Sequence, residues 1–415
     1  MRCVSPGGVE GGVKAPHSKS ALQRMVAAAA LAGGQSAIRA SALCDDDLAS
    51  LRVAQGLGAP VETEGDAIKV SGIQSWRGGR ISCGESGLAL RMFSAIAALS
   101  DVETTLAAEG SLARRPVGMI SDALTTLGAT CTTGGGLPPV AVRGPISGGS
   151  VTVDGSETSQ FLTGLLIALP RCEGSSMITV ENLRSRPYVA LTLSVLARFG
   201  VRIGSDEGMS RFEIEGGQVY RPIDAAVEGD WSAASMLAVC GATAGRVTIS
   251  GLDMDSAQAD RAIVEALKAA GAVVEMGSSS ITVSKGKLRG FSFDMTDCPD
   301  LAPALAALAL GCEGQSEIRG AARLAHKESD RAKTIVDEIR ALGADVDVSG
   351  DIIIIRGGAI GGGRARSHGD HRIAMMLAVA ALAAEGAVEI DDADCVAKSW
   401  PGFFYDLSAL GARVT

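Results

Sequence analysis

The sequence predicts an α/β protein of two similar halves, each made of three units in which strands accompany one outer and one buried helix. Three observations carry this reading. First, six helix-like segments end in a Gly-Ala or Gly-Val step and run into β-branched residues, at Gly58, Gly128, Gly200, Gly271, Gly343 and Gly411, spaced by 70, 72, 71, 72 and 68 residues. Six units of about 70 residues fill all 415 positions and leave no room for an unrelated domain. Second, six apolar helices recur in the same register. Third, 47% of the chain is hydrophobic, 20% charged and only 3% aromatic. Substantial cores built from Ala, Leu, Val, Ile and Gly follow from that balance, with backbones in close approach.

The apolar helices start near residues 18, 85, 158, 230, 299 and 370, in strings such as SKSALQRMVAAAALAGG and DHRIAMMLAVAALAAEG. Beyond the first turn they are apolar nearly all round, which marks helices buried on every side. Gly or Gly-Gly closes most of them. The partner helix of each unit is amphipathic and ends at the repeat glycine, as in ADRAIVEALKAAGA (259–272) and KTIVDEIRALGA (333–344). Short β-branched runs such as IIIIRG, from 353 on, read as strands. The boundary between halves is expected at about 217–230.

Several function classes are excluded or disfavoured. A net charge of −9 argues against general nucleic-acid or anionic-membrane binding, though not against a local basic site. Nine cysteines without a CxxC pair read as reduced, mostly buried thiols of a cytoplasmic protein. No His, Cys or carboxylate spacing suggests a metal. The N-terminus lacks the pattern of a signal peptide, and the Ala-rich run 25–32 is too short to span a bilayer.

Polar residues collect at the starts of the buried helices: Ser18, Lys19 and Ser20; Glu85 and Ser86; Thr158, Ser159 and Gln160; Asp230; Asp300; Asp370, His371 and Arg372. N-capping accounts for the Ser, Thr and Asp residues. It does not account for Lys19, Arg24 and Arg372, because cations in a first turn oppose the helix dipole. Such charges call for an anionic partner, and helix N-termini with added Lys and Arg suit phosphate or carboxylate.

Seven strings then carry a resemblance: SKSxxxR at 18–24, RP at 115–116, TSQF at 158–161, SRPY at 185–188, HKESDR at 326–331, DHR at 370–372 and KSWPGFF at 398–404. In order and spacing, from about residue 14 to the C-terminus, they resemble the 5-enolpyruvylshikimate-3-phosphate synthase family of enolpyruvyl transferases. The resemblance implies two domains of three βαβαββ units each, with buried parallel helices (an inside-out α/β barrel) and an active site in the interdomain cleft. It also puts the opening strand with the C-terminal half, so the expected domains are 1–17 with 230–415, and 18–229. The implied reaction transfers the enolpyruvyl group of phosphoenolpyruvate to the 5-hydroxyl of shikimate 3-phosphate and releases phosphate, with no cofactor or metal. The expected partners are these two small anions alone, with neither nucleic acid nor membrane, and the expected state is a cytoplasmic monomer.

By the same resemblance, Lys19 meets both substrates. Ser20 and Arg24 hold the shikimate carboxylate; Thr158, Ser159, Ser185, Arg323 and Lys327 serve the shikimate phosphate. Gln160 bridges both substrates and Tyr188 lines the shikimate pocket. Gly87, Arg115, Arg331, Arg372 and Lys398 bind phosphoenolpyruvate. Lys327 and Arg331, four apart, are expected to share a helix face. Glu328 is the candidate to protonate the enolpyruvyl methylene and later remove that proton, and Asp300 the candidate to orient or deprotonate the 5-hydroxyl. His371 is placed as an assistant near the phosphate.

The sequence departs from the family pattern at a few positions. His17 replaces a glycine, Thr158 a serine, and Arg323 an asparagine; Glu85 and Leu88 stand where Asn and Thr are common. A carboxylate at 85 near an anionic ligand weakens affinity unless a cation such as Arg91 pairs with it. Two rival readings are weaker. The sister UDP-N-acetylglucosamine enolpyruvyl transferases mostly carry a cysteine shortly before the RP pair, and EGSLARRP (109–116) has none. A ligand-binding relative without catalysis is opposed by the joint presence of Lys19, Asp300, Glu328 and His371.

Overall fold

The computed structural model describes residues 1–415 and divides into two compact units, Met1–His17 with Glu228–Thr415, and Ser18–Val227. The second segment of the first unit begins two residues before the expected 230, because Gly229 bridges His17 and its N–H donates to Gly251 O at 3.0 Å.

The unit Ser18–Val227 holds helices α1 (Lys19–Ala30), α2 (Asp45–Leu57), α3 (Gly87–Ala97), α4 (Gly118–Thr126), α5 (Gln160–Ala168) and α6 (Arg186–Arg198). The other unit holds α7 (Trp231–Ala244), α8 (Ile263–Ala270), α9 (Ala302–Leu310), α10 (Arg331–Ala341), α11 (His371–Ala381) and α12 (Phe403–Ala409). The odd-numbered helices are the apolar ones and are almost wholly buried. Within Ser18–Val227, α1, α3 and α5 supply much of one continuous core. The contact between α3 and α5 is close enough to require Gly164: a Cβ there would lie 2.6 Å from Met92 O.

Each even-numbered helix stops at its repeat glycine, in the left-handed region with φ of 110, 99, 81, 92, 94 and 102° in chain order. Glycine enters that region without the steric cost of a Cβ, which is why the same residue ends the outer helix six times.

Three units show the complete βαβαββ order within one stretch of chain. Gly79–Ser82 runs parallel to Thr104–Ala107 with α3 between them; α4 then leads to Thr130–Gly134 and Leu137–Arg143, and the latter pairs antiparallel with Thr104–Ala107. The same order recurs for Gly149–Asp154, Ser176–Glu181, Gly204–Ser205 and Arg211–Ile214, and for Ser292–Asp294, Gln315–Arg319, Asp345–Ser349 and Ile352–Arg356.

Two further units exchange their leading strands. Val9–Lys14, which precedes α1, pairs with Gly245–Ser250, whereas Asp224–Ala226, which precedes α7, pairs with Gln35–Arg39. The chain therefore passes between the units twice. In the last unit Gly363–Arg366 and Val388–Asp391 are parallel, and Arg2–Val4 from the N-terminus closes the sheet. In the four units whose leading strand stays with its own helix, the buried helix follows that strand's carboxyl end, so its first turn brings polar residues to that end of the sheet.

Candidate functional site

In Ser18–Val227 three groupings form at the starts of the buried helices. Ser18 caps α1, and the next residue, Lys19, sends Nζ 2.8 Å to Asp46 Oδ2 in the first turn of α2. Arg24, one turn further along α1, is only 2% exposed. Its guanidinium donates to Thr192 Oγ1 at 2.9 Å, Ser20 O at 2.7 Å, Tyr188 O at 3.3 Å and Thr163 Oγ1 at 3.4 Å. All four acceptors are neutral oxygens. Burial lowers the Arg24 pKa to about 10. A buried cation held by neutral groups gains when an anion arrives.

The third grouping joins α3, α5 and the RP pair. Arg91 Nη1 donates to Gln160 Oε1 at 2.9 Å, and its Nη2 to Pro116 O at 2.8 Å. Gly87 lies against both: a Cβ built on it would sit 2.8 Å from Arg91 Nη1, 3.2 Å from Arg115 Nη1 and 3.3 Å from Gln160 Oε1. Absence of a side chain at 87 thus leaves space beside two guanidinium groups. Glu85 accepts from Ser111 N–H at 3.1 Å and from Ser111 Oγ at 2.7 Å, so the serine loop of EGSLARRP holds this carboxylate. Ser159 is buried before α5, and Thr158 Oγ1 accepts from Gln160 N–H at 3.2 Å. Ser185 takes a left-handed φ of 57° immediately before α6, and the Tyr188 carbonyl accepts from both Arg24 and Thr192.

In the other unit the charged groups form one network around the starts of α9, α10 and α11. Asp300 Oδ1 receives Arg331 Nη1 at 3.0 Å and Lys327 Nζ at 3.2 Å, and its Oδ2 lies 3.4 Å from Arg372 Nη2. Burial works to raise the Asp300 pKa, but Arg372, Lys327 and Arg331 outweigh it and hold the carboxyl well below the usual carboxylate range. Arg331 is fully buried; its Nε donates to Asp370 Oδ2 at 2.9 Å and its Nη2 to Glu328 Oε2. Burial lowers the Arg331 pKa, yet Asp370, Glu328 and Asp300 together raise it above the ordinary arginine value, so the charge is permanent. Lys398 Nζ lies 4.0 Å from Glu328 Oε1. His371 is buried at the start of α11 with Nδ1 3.9 Å from Asp370 Oδ1. Arg323 donates to Thr296 O at 2.6 Å.

One sequence expectation fails. Lys327 and Arg331 do not share a helix face: Asp330 caps α10 by accepting from Lys333 N–H at 3.3 Å, so the helix begins at Arg331 and Lys327 lies in the bend before it. The two cations still converge on Asp300 Oδ1, through the bend rather than through helical periodicity.

The sequence profile of the EPSP synthase (3-phosphoshikimate 1-carboxyvinyltransferase) family matches residues 4–407. The chain belongs to this family. A 3-phosphoshikimate 1-carboxyvinyltransferase of Aeropyrum pernix is 43% identical over 412 residues, covering 99% of this chain and 96% of its own. One of Methanothermobacter thermautotrophicus is 40% identical over 98% of this chain and 97% of its own. Among solved structures, EPSP synthase of Acinetobacter baumannii superposes with a TM-score of 0.84 at 25% identity, covering 100% of this chain and 99% of that one. The enolpyruvyl transferase NikO of Streptomyces tendae shares the fold, with a TM-score of 0.79 at 20% identity over 100% of this chain and 98% of its own.

Asp46, Thr163, Thr192 and Asp260, which hold candidate residues or their neighbours, lie outside the seven strings. A signal for two of them existed. Lys19–Asp46, Ser232–Asp260 and Asp300–Lys327 are bonded pairs separated by 27, 28 and 27 residues. In each, the start of a buried helix reaches the segment that opens the next outer helix, so overlaying the repeats on themselves would have aligned Asp46, Asp260 and Lys327.

Proposed function

We propose that the chain transfers the enolpyruvyl group of phosphoenolpyruvate to the 5-hydroxyl of shikimate 3-phosphate, giving 5-enolpyruvylshikimate 3-phosphate and phosphate. The observation that carries this reading is the setting of two carboxylates, Asp300 and Glu328, among the cations Lys327, Arg331, Arg372 and Lys398. Anionic substrates need the cations; addition followed by elimination needs one carboxyl to give and retake a carbon-bound proton and a second to orient the attacking hydroxyl.

Glu328, as the acid, gives a proton to the methylene carbon of phosphoenolpyruvate while the 5-hydroxyl oxygen bonds to the adjacent carbon. Asp300 accepts the hydrogen bond of that hydroxyl. Its low pKa makes it a stronger orienting group than proton acceptor, so as the new carbon–oxygen bond forms the hydroxyl proton passes to an oxygen of the phosphate and leaves with it. In the elimination Glu328 retakes a proton from the methyl group, the carbon–oxygen bond to phosphate breaks, and the double bond re-forms. Lys19, Arg115, Gln160, Arg331, Arg372 and Lys398, with the space at Gly87, are assigned to phosphoenolpyruvate. Ser20, Arg24, Thr158, Ser159, Gln160, Ser185, Tyr188, Arg323 and Lys327 are assigned to shikimate 3-phosphate. His371 assists beside the leaving phosphate. Fixed cations of this kind stabilise the charge that develops in the transition state without reorganising.

The chain is proposed to act as a cytoplasmic monomer with neither metal nor cofactor. All nine cysteines are free thiols, and no helix is long and apolar enough to cross a membrane. The test is phosphate release from phosphoenolpyruvate by the purified protein with shikimate 3-phosphate as acceptor, and its absence with acceptor omitted.

A further inference from the structure

One amide and two hydroxyls that the proposed reaction does not use meet in the interior of the unit Ser18–Val227. Gln23 lies in the apolar helix α1 and is 1% exposed. Its Oε1 accepts from Ser50 Oγ of α2 at 2.9 Å and from Ser86 Oγ, the cap of α3, at 3.0 Å. Ser50 and Ser86 are buried as well. One amide oxygen therefore joins three helices. Adjacent residues of a helix point about 100° apart, and α1 divides its polar groups accordingly. Arg24 turns to Thr163 of α5 and Thr192 of α6. Lys19 and Gln23, one turn apart, turn instead to Asp46 and Ser50, one turn apart on α2.

The helix start that Ser86 caps belongs to a larger platform. The Ser86 hydroxyl accepts from Ala89 N–H at 3.3 Å while it donates to Gln23. Gly87, next in the chain, leaves the space beside the Arg91 and Arg115 guanidinium groups. Glu85 holds Ser111, and Gly84 O accepts from Glu109 N–H at 2.8 Å, so the loop that leads to Arg115 is fastened to the start of α3. Lys19 stands on α1, outside this platform, with Asp46 at 2.8 Å.

We infer that Gln23 is a positioning residue for phosphoenolpyruvate: by holding Ser86 it fixes the platform of Gly87, Arg91 and Arg115 against α1, and so sets the distance from Lys19 to the space at Gly87. This rests on the assignment of Lys19, Gly87 and Arg115 to phosphoenolpyruvate. A polar cluster that only satisfies itself is replaceable by apolar groups of the same shape at little cost. Its loss changes stability and leaves substrate binding alone. A fastening between two sides of a binding site has a different signature, because a small misplacement of one side weakens the hold on the ligand while the chain stays folded.

The test is Gln23→Met, which keeps the length of the side chain and removes the acceptor, with steady-state kinetics on each substrate. The KM for phosphoenolpyruvate is expected to rise about tenfold, the upper end for one neutral hydrogen bond. The KM for shikimate 3-phosphate and kcat are expected to change by less than about twofold, since the bonds that hold Arg24 and Lys19 stay in place. Ser86→Ala removes the donor, is expected to raise the same KM, and carries the same comparison should Gln23→Met not fold. Adding Gln23→Met to Ser86→Ala is expected to change that KM by less than about twofold, because the fastening is already broken. Equal rises in both KM values, no rise for phosphoenolpyruvate, or full independent effects in the double variant would overturn the role of Gln23 while leaving the proposed reaction standing. A wild type that releases no phosphate with shikimate 3-phosphate would remove the reaction and this role with it.

Discussion

Arg331 and Asp370 form an ion pair from which solvent is wholly excluded: Nε lies 2.9 Å from Oδ2, and both side chains have an exposure of 0%. The pair ties the first turn of α10 to the cap of α11, where Asp370 also accepts from Arg372 N–H at 3.0 Å. Breaking a buried pair by removing one charge leaves the other uncompensated, and the typical cost is about 3–5 kcal/mol. Asp370→Asn retains a capping side chain but loses the charge. It is expected to lower unfolding stability by about 3 kcal/mol, the low end of that range because Asp300 and Glu328 still face Arg331. Urea denaturation at neutral pH reads this directly, and a loss under about 1 kcal/mol would show that the network relaxes around the change.

Lys19→Met and Glu328→Gln are expected to nearly abolish turnover, by about 100-fold or more in kcat, while the fold is retained. Methionine keeps the apolar stem of Lys19 and removes its charge toward Asp46; glutamine keeps an oxygen that can accept from Arg331. Single-turnover kinetics with circular dichroism on the same samples separate the two effects. Near-normal product formation by either folded variant would refute the assigned roles.

Gly87→Ala places a methyl group against the Arg91 and Arg115 guanidinium tips and the Gln160 amide. The neighbours are the far ends of flexible side chains, so the fold is expected to tolerate the change. The Arg91–Gln160 bond of 2.9 Å is not expected to survive it unaltered. Losing one charge-assisted bond costs about 1.5–3 kcal/mol, which corresponds to a rise of about tenfold or more in KM for phosphoenolpyruvate. An unchanged KM would mean that this space does not receive the ligand.

The pKa of Asp260 also predicts a stability profile. Burial, and next the Asp300 charge, raise its folded value to about 7, so the stability it contributes is present in full below its unfolded pKa of about 3.9 and is lost as pH rises through 7. The loss accumulates between those limits and is complete above them. Asp300 has the opposite sign: its depressed folded pKa contributes stability above about pH 4 that disappears as pH falls further. Relative to the wild type, Asp260→Asn is therefore expected to gain stability from pH 5 to pH 7 and then to hold a constant difference. Melting curves across that range test it, and a difference independent of pH would contradict the protonated state of Asp260.

The architecture was legible wherever a residue type has one physical use. The glycines after α2, α4, α6, α8, α10 and α12 all stop helices in the left-handed region, and the apolar runs from Lys19 to His371 are buried helices because no other setting suits them. The exchange of Val9–Lys14 and Asp224–Ala226 between units was beyond periodicity, since a leading strand reads the same whichever sheet it joins. HKESDR misled because Lys327 and Arg331 have helical spacing, while the cap at Asp330 decides where α10 begins. Arg24 was legible as a charge opposed to its helix dipole, but its partners Thr163 and Thr192 lie 139 and 168 residues away, where no local pattern reaches.

The most direct test of the central claim is phosphate release from phosphoenolpyruvate by the wild-type protein, with shikimate 3-phosphate or UDP-N-acetylglucosamine offered separately as acceptor. The account predicts rapid release with shikimate 3-phosphate, together with an enolpyruvyl ether product, and none with the nucleotide sugar. No release with shikimate 3-phosphate, or release only with UDP-N-acetylglucosamine, would contradict it.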